Sequence, residues 1–249
     1  MQIKSFSLIT CNIICFRKLK DPIKLQRFHD IITKYSPDIL LLQEDIKHPA
    51  PNYPPAYIKI TCSLTNEGIT NTILVHETQY EKILPGHSYQ LISSSHIQVS
   101  RAASSVYYDG ASICNLHLSG GREDDVEFIN ITDLRDLQVT KLMGYDIVAG
   151  DFNSNPDDSR FPSDHPVYLS ASPGGREIFK RYFKSGHKPL SDAGMVRVTL
   201  DKPTDAFGGN PDHVYYNPVK LTPVHTEVID LITQDLSDHN AVFVRFQLR

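Results

Sequence analysis

Hydrophobic positions in this chain gather into short runs that stop at polar or turn-forming residues. Runs of about four to eight residues mark buried strands rather than helices. Phe6 to Ile13 is nearly continuous and closes around Asn12, and Ile39 to Leu42 runs straight into Gln43-Glu44. Ile147 to Ala149 passes through Gly150 to Asp151, Phe152 and Asn153. Ile97 to Val106 and Ala111 to Leu118 flank Asp109-Gly110, the strongest short hairpin signal. The second of these runs leads through Asn115 and His117 to Ser119-Gly120-Gly121. Tyr57 to Thr61, Thr70 to Val75, Met195 to Leu200, Asp212 to Tyr216, Leu221 to Leu231 and Ala241 to Phe246 supply further candidate strands.

Helical periodicity is confined to a few stretches. Asp21-Pro22 gives an N-cap with proline in the first turn, and Ile23, Phe28, Ile31 and Ile32 carry an apolar face to about Lys34. Asp124-Asp125 opens a second helix reaching about Met143, with Phe128, Ile131, Leu134, Leu137 and Leu142 on one side. Its two acids suit a helix N-terminus. Arg176 to Phe183 predicts a short helix. His48 to Pro55 and Asp157 to Gly175 read as proline-rich loops, and Ser185 to Lys188 as a flexible basic bend. Strands alternating with helices predict an α/β fold, and the absence of repeats or linkers predicts one domain over residues 1–249.

Composition narrows the class. With 40% apolar and 22% charged residues the chain is globular rather than disordered. A formal charge of −4 provides no global basic field, which argues against gripping long duplex DNA chiefly by phosphate neutralisation. Cys11, Cys15, Cys62 and Cys114 fall at no zinc-like spacing and read as reduced, with Cys11 and Cys114 packed in the core. The N-terminus alternates like a strand and lacks the apolar core of a signal peptide, and no run reaches membrane-spanning length. The expected location is intracellular, cytoplasmic or nuclear, without membrane insertion and with no protein partner signalled.

The chemistry lies at strand ends. Asp151 and Asn153 are two residues apart and would face one crevice, although an Asx-type turn uses the same residues. Asn12, Glu44, His117, Asp212, Asp238 and His239 also fall at or beside strand ends, where ligands bind in open α/β sheets. Carboxylates and amides without thiolates suit Mg²⁺ or Mn²⁺. Histidines are then free for proton transfer or for stabilising developing charge. Hydrolysis of a phosphodiester needs such a set: a base for water, donors for the developing charge and help for the leaving oxygen. Arg122, just after the glycine pair, is a candidate substrate contact. Lys184, His187 and Lys188 form a candidate basic loop, and His165, His187, His213 and His225 read as surface or rim residues.

Taken in order, Thr10-Cys11-Asn12, Leu41 to Glu44, Asn115 to Leu118, Gly150 to Ser154, Pro211 to Pro218 and Ser237 to Val242 resemble the motifs of the endonuclease/exonuclease/phosphatase superfamily, with its DNase I-like fold. The resemblance spans nearly the whole chain. Each motif is short and weakly specific; the ordered set is what carries the likeness. It implies a four-layer α/β sandwich: two mixed β-sheets packed face to face, with helices outside. It also implies roles. Glu44 would bind the metal, with Asn12 supporting metal and phosphate and Asp238 near the metal. Asp151 would orient or deprotonate water, and Asn153 would hold a phosphate oxygen. His239 would face the phosphate, paired with Asp212, and His117 would contact it.

The chain also departs from that pattern. Many DNA-repair members carry Trp before the first Asn and Asp two residues after it; here Cys11 and Ile14 stand there. One Mg²⁺ (or Mn²⁺) held mainly by Glu44 is therefore expected. Gly209-Asn210-Pro211 precedes Asp212 where many members place an Arg, and Asp45-Ile46-Lys47 follows the Gln-Glu pair. The expected activity is a Mg²⁺-dependent phosphodiesterase acting on nucleic acid, as a nuclease or in DNA end-processing such as 5′-tyrosyl–DNA cleavage. The stretch Asn115 to Arg122 resembles the tyrosyl-DNA branch, and Gly150 to Ser154 also occurs in the deadenylase branch. The alternatives are a phosphoinositide phosphatase or sphingomyelinase-like hydrolase, which the lack of a membrane-inserting loop opposes, and a non-catalytic binding module, which the intact candidate residues oppose.

Overall fold

Two strand–helix–strand units organise the chain. In the first, β1 (Ser5–Asn12), α1 (Pro22–Tyr35) and β2 (Ile39–Ile46) bring two strands together in parallel. Asp21 starts the helix by accepting a hydrogen bond from the Ile23 amide at 2.8 Å, and Ser36 ends it in a left-handed conformation. The computed structural model describes residues 4–14, 17–46, 53–64, 69–91, 101–120, 125–156, 177, 184–206 and 208–249.

After β2 come β3 (Tyr57–Leu64), β4 (Ile69–His76), a 3-10 helix at Glu77–Lys82, β5 (Ile83–Gln90), β6 (Ala102–Tyr108) and β7 (Ala111–His117). Asp109 and Gly110 both take positive φ, 47° and 90°, as a tight hairpin between β6 and β7 requires. Helix α2 (Asp125–Thr140) then leads to β8 (Ile147–Asp151), which lies parallel to β7. Helix α3 (Lys188–Asp192) and strands β9 (Val196–Arg197), β10 (Asp212–Tyr216), β11 (Leu221–Ile229) and β12 (Ala241–Leu248) complete the described elements.

The strands form two mixed six-stranded sheets, ordered β11-β12-β1-β2-β4-β3 and β5-β6-β7-β8-β10-β9. The two parallel pairs are anchored alike at the end away from the site. Asp38 accepts from the Ser7 amide and hydroxyl (2.7 and 3.0 Å), and Asp146 accepts from the Ser112 amide and hydroxyl (both 3.0 Å).

Three apolar layers hold the sandwich. Phe6, Leu8, Ile39, Leu41, Ile113, Ile147, Ala149, Val214, Val242 and Val244 fill the space between the sheets. Ile9, Cys11, Leu40, Leu42 and Phe243 pack outward against Phe28 and Ile32 of α1. Cys114, Leu116, Val148, Phe152 and Tyr215 pack against Val139, Leu142 and Leu190 on the other outer face. This is the expected four-layer arrangement. Cys11, Cys62 and Cys114 carry free thiols, and Cys15 lies outside the described residues. Among the described residues, no helix is long and apolar enough to cross a membrane.

The structure departs from the sequence expectation in several elements. Strand β5 has no counterpart in the hydrophobic pattern, because Pro85 and Gly86 interrupt it; it is an edge strand whose register shifts between Pro85 and Ser88. The run Met195 to Leu200 contributes only a two-residue strand. Ile23 of α1 is exposed. On α2, Leu137 is exposed while Arg135 and Gln138 are fully buried; they reach the loop after β7, where Arg135 Nε donates to the Ser119 carbonyl at 2.6 Å and Gln138 Nε2 to its hydroxyl at 3.0 Å. The Ile97 to Ser100 end of one expected strand, the loops at His48 to Asn52 and Asp157 to Gly175, and Arg122 lie outside the described residues.

Candidate active site

Side chains alternate along a strand, so the inner faces that bury Leu8, Leu41, Ile113, Ala149 and Val214 determine which residues reach the crevice at the strand ends. Two positions further on the same faces stand Thr10, Gln43, Asn115, Asp151 and, counting back from Val214, Asp212; one more step gives Asn12 and His117. Thr10, Gln43 and Asn115 form a buried polar floor between the sheets. Gln43 Nε2 donates to Thr10 Oγ1 (2.9 Å) and Asn115 Oδ1 (2.6 Å), and Asn115 Nδ2 donates to the carbonyls of Leu42 and Thr72, both at 3.0 Å. These hydrogen bonds offset part of the cost of placing the amides beneath the site, while Gln43 Oε1 is buried without a partner.

Above that floor the expected residues converge. Asn12 Nδ2 donates to Asp151 Oδ2 at 2.9 Å, while its Oδ1 accepts from the Ile14 amide at 3.0 Å. The Asn153 amide donates to Asp151 Oδ1 at 2.7 Å, and Asn153 Nδ2 donates to the Leu118 carbonyl at 2.9 Å. His117 Nε2 lies 3.4 Å from Asp151 Oδ2 and 3.9 Å from Glu44 Oε1. Asp212 faces Asp151 across the β8–β10 pair and accepts from His239 Nδ1 at 2.8 Å. Ser237 Oγ ties the His239 loop to the Asn12 carbonyl at 2.7 Å. Asp238 stands apart from the buried group. It is exposed, with Oδ1 3.9 Å from His239 Nε2.

Three non-glycine residues at these strand ends, Ile14, Glu44 and Asn153, have φ of 46°, 53° and 51°. Left-handed backbone is unusual for such side chains, above all a β-branched one, and strain of this kind clusters at functional sites. At Glu44 it accompanies a register shift between Leu42 and Asp45, which turns the carboxylate out of the strand. Gly150 has φ of 141°, and a β-carbon there would stand 2.0 Å from the Leu116 carbonyl oxygen. Gly150→Ala is therefore expected to cost more than about 1 kcal/mol and to displace Asp151. Thermal unfolding and residual activity measured together check this; an unchanged melting temperature would contradict it.

Charges in the cluster are strongly biased. Burial opposes a charge on His239, but Asp212, through its field and hydrogen bond, with Asp151 and Asp238, raises the imidazole to about 11. Burial raises the Asp151 carboxyl and Asp212 adds to it, against His239, Asn12 and the Asn153 amide. Burial holds His117 well below the ordinary histidine value, with Arg101 next in effect. The site thus pairs an imidazolium with a buried carboxylate of raised basicity.

The ligand atoms of Asp151, Asp212 and His239 lie within 4.8 Å of one another. This trio is not the expected metal set of Glu44, Asn12 and Asp238. Asp212 Oδ2 is engaged by His239 and both Asp151 oxygens accept hydrogen bonds, so most of the trio's ligand atoms are already occupied. Asp212 Oδ1 is buried without a hydrogen-bond partner. The partly exposed Glu44 carboxylate is the acid that the bulge turns toward the crevice. Oxygen donors predominate, and the Cys11 thiol packs on the opposite face of β1, so the residues fit a hard divalent cation.

Two histidines expected at the rim are buried. His187 accepts or donates at Ser154 Oγ (2.8 Å) and Tyr215 OH (2.9 Å) and stacks on Phe152. His213 Nε2 bonds the Ser154 carbonyl at 3.0 Å. They support the turn that carries Asn153 from beneath, so the expected basic loop does not present His187 to substrate. His225 is exposed as expected, and His165 lies outside the described residues. Sequence reading missed Arg101, whose Nη1 donates to His117 Nδ1 at 3.2 Å. An arginine opening a strand carries no signal of its own in a single sequence.

A sandwich of this architecture with a carboxylate–histidine cluster at the strand ends defines a phosphoric ester hydrolase with a DNase I-like fold. Residues 9–239 match the model of the Endonuclease/Exonuclease/phosphatase family, and the chain belongs to that family. Its members generally use divalent metal ions. No curated protein matches the chain by sequence. Among solved structures, it is similar to D. rerio TDP2 complexed with single strand DNA product at 14% identity and TM-score 0.63, covering 98% of this chain and 99% of that one. The human Nocturnin catalytic domain with bound sulfate matches at 16% identity and TM-score 0.59, covering 100% and 97%. The inositol polyphosphate 5-phosphatase domain of SPsynaptojanin, in complex with inositol (1,4)-bisphosphate and calcium ion, matches at 13% identity and TM-score 0.55, covering 99% and 85%.

Proposed function

We propose that the protein is a Mg²⁺-dependent phosphodiesterase acting on nucleic acid, as a nuclease or in end-processing such as 5′-tyrosyl–DNA cleavage. The observation that carries this reading is the His239–Asp212 pair at 2.8 Å beside buried Asp151. An imidazolium beside a buried carboxylate suits a reaction that needs a positive group and a base at one centre, which supports this reading. The DNA product bound to D. rerio TDP2 supports the choice of nucleic acid.

Asp151 takes a proton from water as the water oxygen bonds to phosphorus and the bond to the leaving oxygen breaks. His239, charged and oriented by Asp212, stabilises the added negative charge, with Asn153 and His117 as further donors. Asn12 holds Asp151 in register. Glu44 would hold the cation, with Asp238 and Asn12 near it, and the ion would supply Lewis-acid neutralisation of a non-bridging or leaving oxygen. Arg122 is a proposed substrate contact.

The test is a panel of single-stranded DNA, 5′-phosphotyrosyl DNA, poly(A) RNA, abasic duplex, a phosphoinositide and sphingomyelin. Nucleic-acid turnover is expected to vanish with EDTA and return with Mg²⁺ or Mn²⁺. Turnover confined to the lipid substrates, or unaffected by chelation, would refute the reading.

A further inference from the structure

We propose that Arg101 is a positioning residue that fixes the ring of His117 as the Nε2–H tautomer, aimed between the carboxylates of Asp151 and Glu44. The consequence for catalysis rests on the hydrolytic reading above; the geometry does not.

A guanidinium carries five N–H donors and no acceptor, and it does not lose its proton in proteins. Arg101 Nη1 lies 3.2 Å from His117 Nδ1. Nδ1 must therefore present its lone pair, and the ring proton belongs to Nε2. That nitrogen faces two acceptors, Asp151 Oδ2 at 3.4 Å and Glu44 Oε1 at 3.9 Å. The opposite tautomer would fail on both sides, setting N–H against N–H at Arg101 and a lone pair against two carboxylates. His117 is almost fully buried, so water does not relieve either conflict.

Gly120 places Arg101 within the same layer. A β-carbon on this glycine would stand 3.2 Å from Asn153 Oδ1 and 3.7 Å from Arg101 Nη2. Both side chains therefore approach the open face of this glycine. A tautomer locked this way has two effects. His117 donates to Asp151 or to a phosphate oxygen and does not take the proton of the attacking water, which leaves that proton to Asp151. Its Nε2 also offers no lone pair to a cation beside Glu44.

The experiment uses the full chain with ¹⁵N-labelled histidine and no added metal. Long-range ¹H–¹⁵N correlations report which imidazole nitrogen carries the proton, and comparison with His117→Asn assigns the His117 signals. The wild type is expected to show Nε2–H. Arg101→Met, which keeps length and removes the donors, is expected to lose that single pattern. In the same variant kcat on bis-p-nitrophenyl phosphate should fall about 10-fold, the scale of lost orientation of a functional histidine, with KM little changed. Arg101→Lys, still a donor, should restore part of both. An Nδ1–H ring in the wild type, or a tautomer and kcat unchanged in Arg101→Met, overturns the proposal. If the wild type hydrolyses no phosphodiester, the proposed function fails, and the tautomer measurement alone decides this one.

Discussion

Asp151→Asn is expected to lower kcat/KM by roughly 10²–10⁴-fold, the usual contribution of a positioned general base. The substitution keeps the size of the side chain and removes its capacity to take a proton. One oxygen can still accept from the Asn153 amide, as Oδ1 does at 2.7 Å. The new amide nitrogen would replace Oδ2, which accepts from Asn12 Nδ2 at 2.9 Å; two donors would then meet, and the Asn12 contact is expected to loosen. Stability should move the other way from activity. Burial raises the Asp151 pKa above that of an unfolded carboxylate. The folded state therefore favours the protonated form, and the associated stability is present below the ordinary carboxylate range and lost as pH rises through the raised value. A variant with no charge to bury lacks that loss. Its melting temperature at neutral pH should equal or exceed the wild type's. Single-turnover hydrolysis and thermal unfolding on the same samples check both parts. Activity within ten-fold of wild type would remove Asp151 from the role of base.

Much of the site is legible because a strand has period two. Once Ile147 and Ala149 are read as buried on one face, Asp151 must come next on that face, and the same count places Asn12 after Leu8 and Thr10. Likewise Asn115 and His117 follow Ile113, and Asp212 precedes Val214. What this count cannot give is the partner across the sandwich. Gln43 and Asn115 meet at 2.6 Å although they are 72 residues apart, and only the packing of the two sheets brings them together. His187 and His213 read as rim residues for a related reason. Their neighbours Ser185, Lys188 and Asp212 are polar, which suggests a wet loop, but the outer face beneath Phe152 encloses both rings. Arg135 shows the same limit on a helix: a charged residue inside an amphipathic pattern reads as solvated, yet here it is buried because a loop carbonyl accepts from it. Periodicity reports which face an element turns inward. It is silent on polar groups buried for a specific partner.

The second large effect is expected from Asp212→Asn, and it should show as a change in the shape of the pH profile rather than a uniform loss. Burial works against a charged His239, yet Asp212 outweighs it and, with Asp151 and Asp238, carries the imidazole from its ordinary 6.5 to about 11. The imidazolium therefore persists across the neutral range. Any step that uses it should stay active on the alkaline side until the pH approaches that value. Removing the Asp212 charge leaves the burial penalty in place and deletes the main opposing influence, so the His239 pKa must fall. The alkaline limb of kcat/KM should move toward acid by several pH units, with activity recovering as the solution is acidified until Asp151 is protonated. The stability linkage has the same origin. A histidine whose folded pKa exceeds its unfolded one contributes stability that is full below about 6.5 and is lost as pH rises through about 11. Asp212→Asn should erase that dependence. Profiles of kcat/KM and of unfolding from about pH 5 to about pH 10 test the pair of effects. A variant profile that superimposes on the wild type, merely scaled down, would show that Asp212 holds the ring in place without holding its charge.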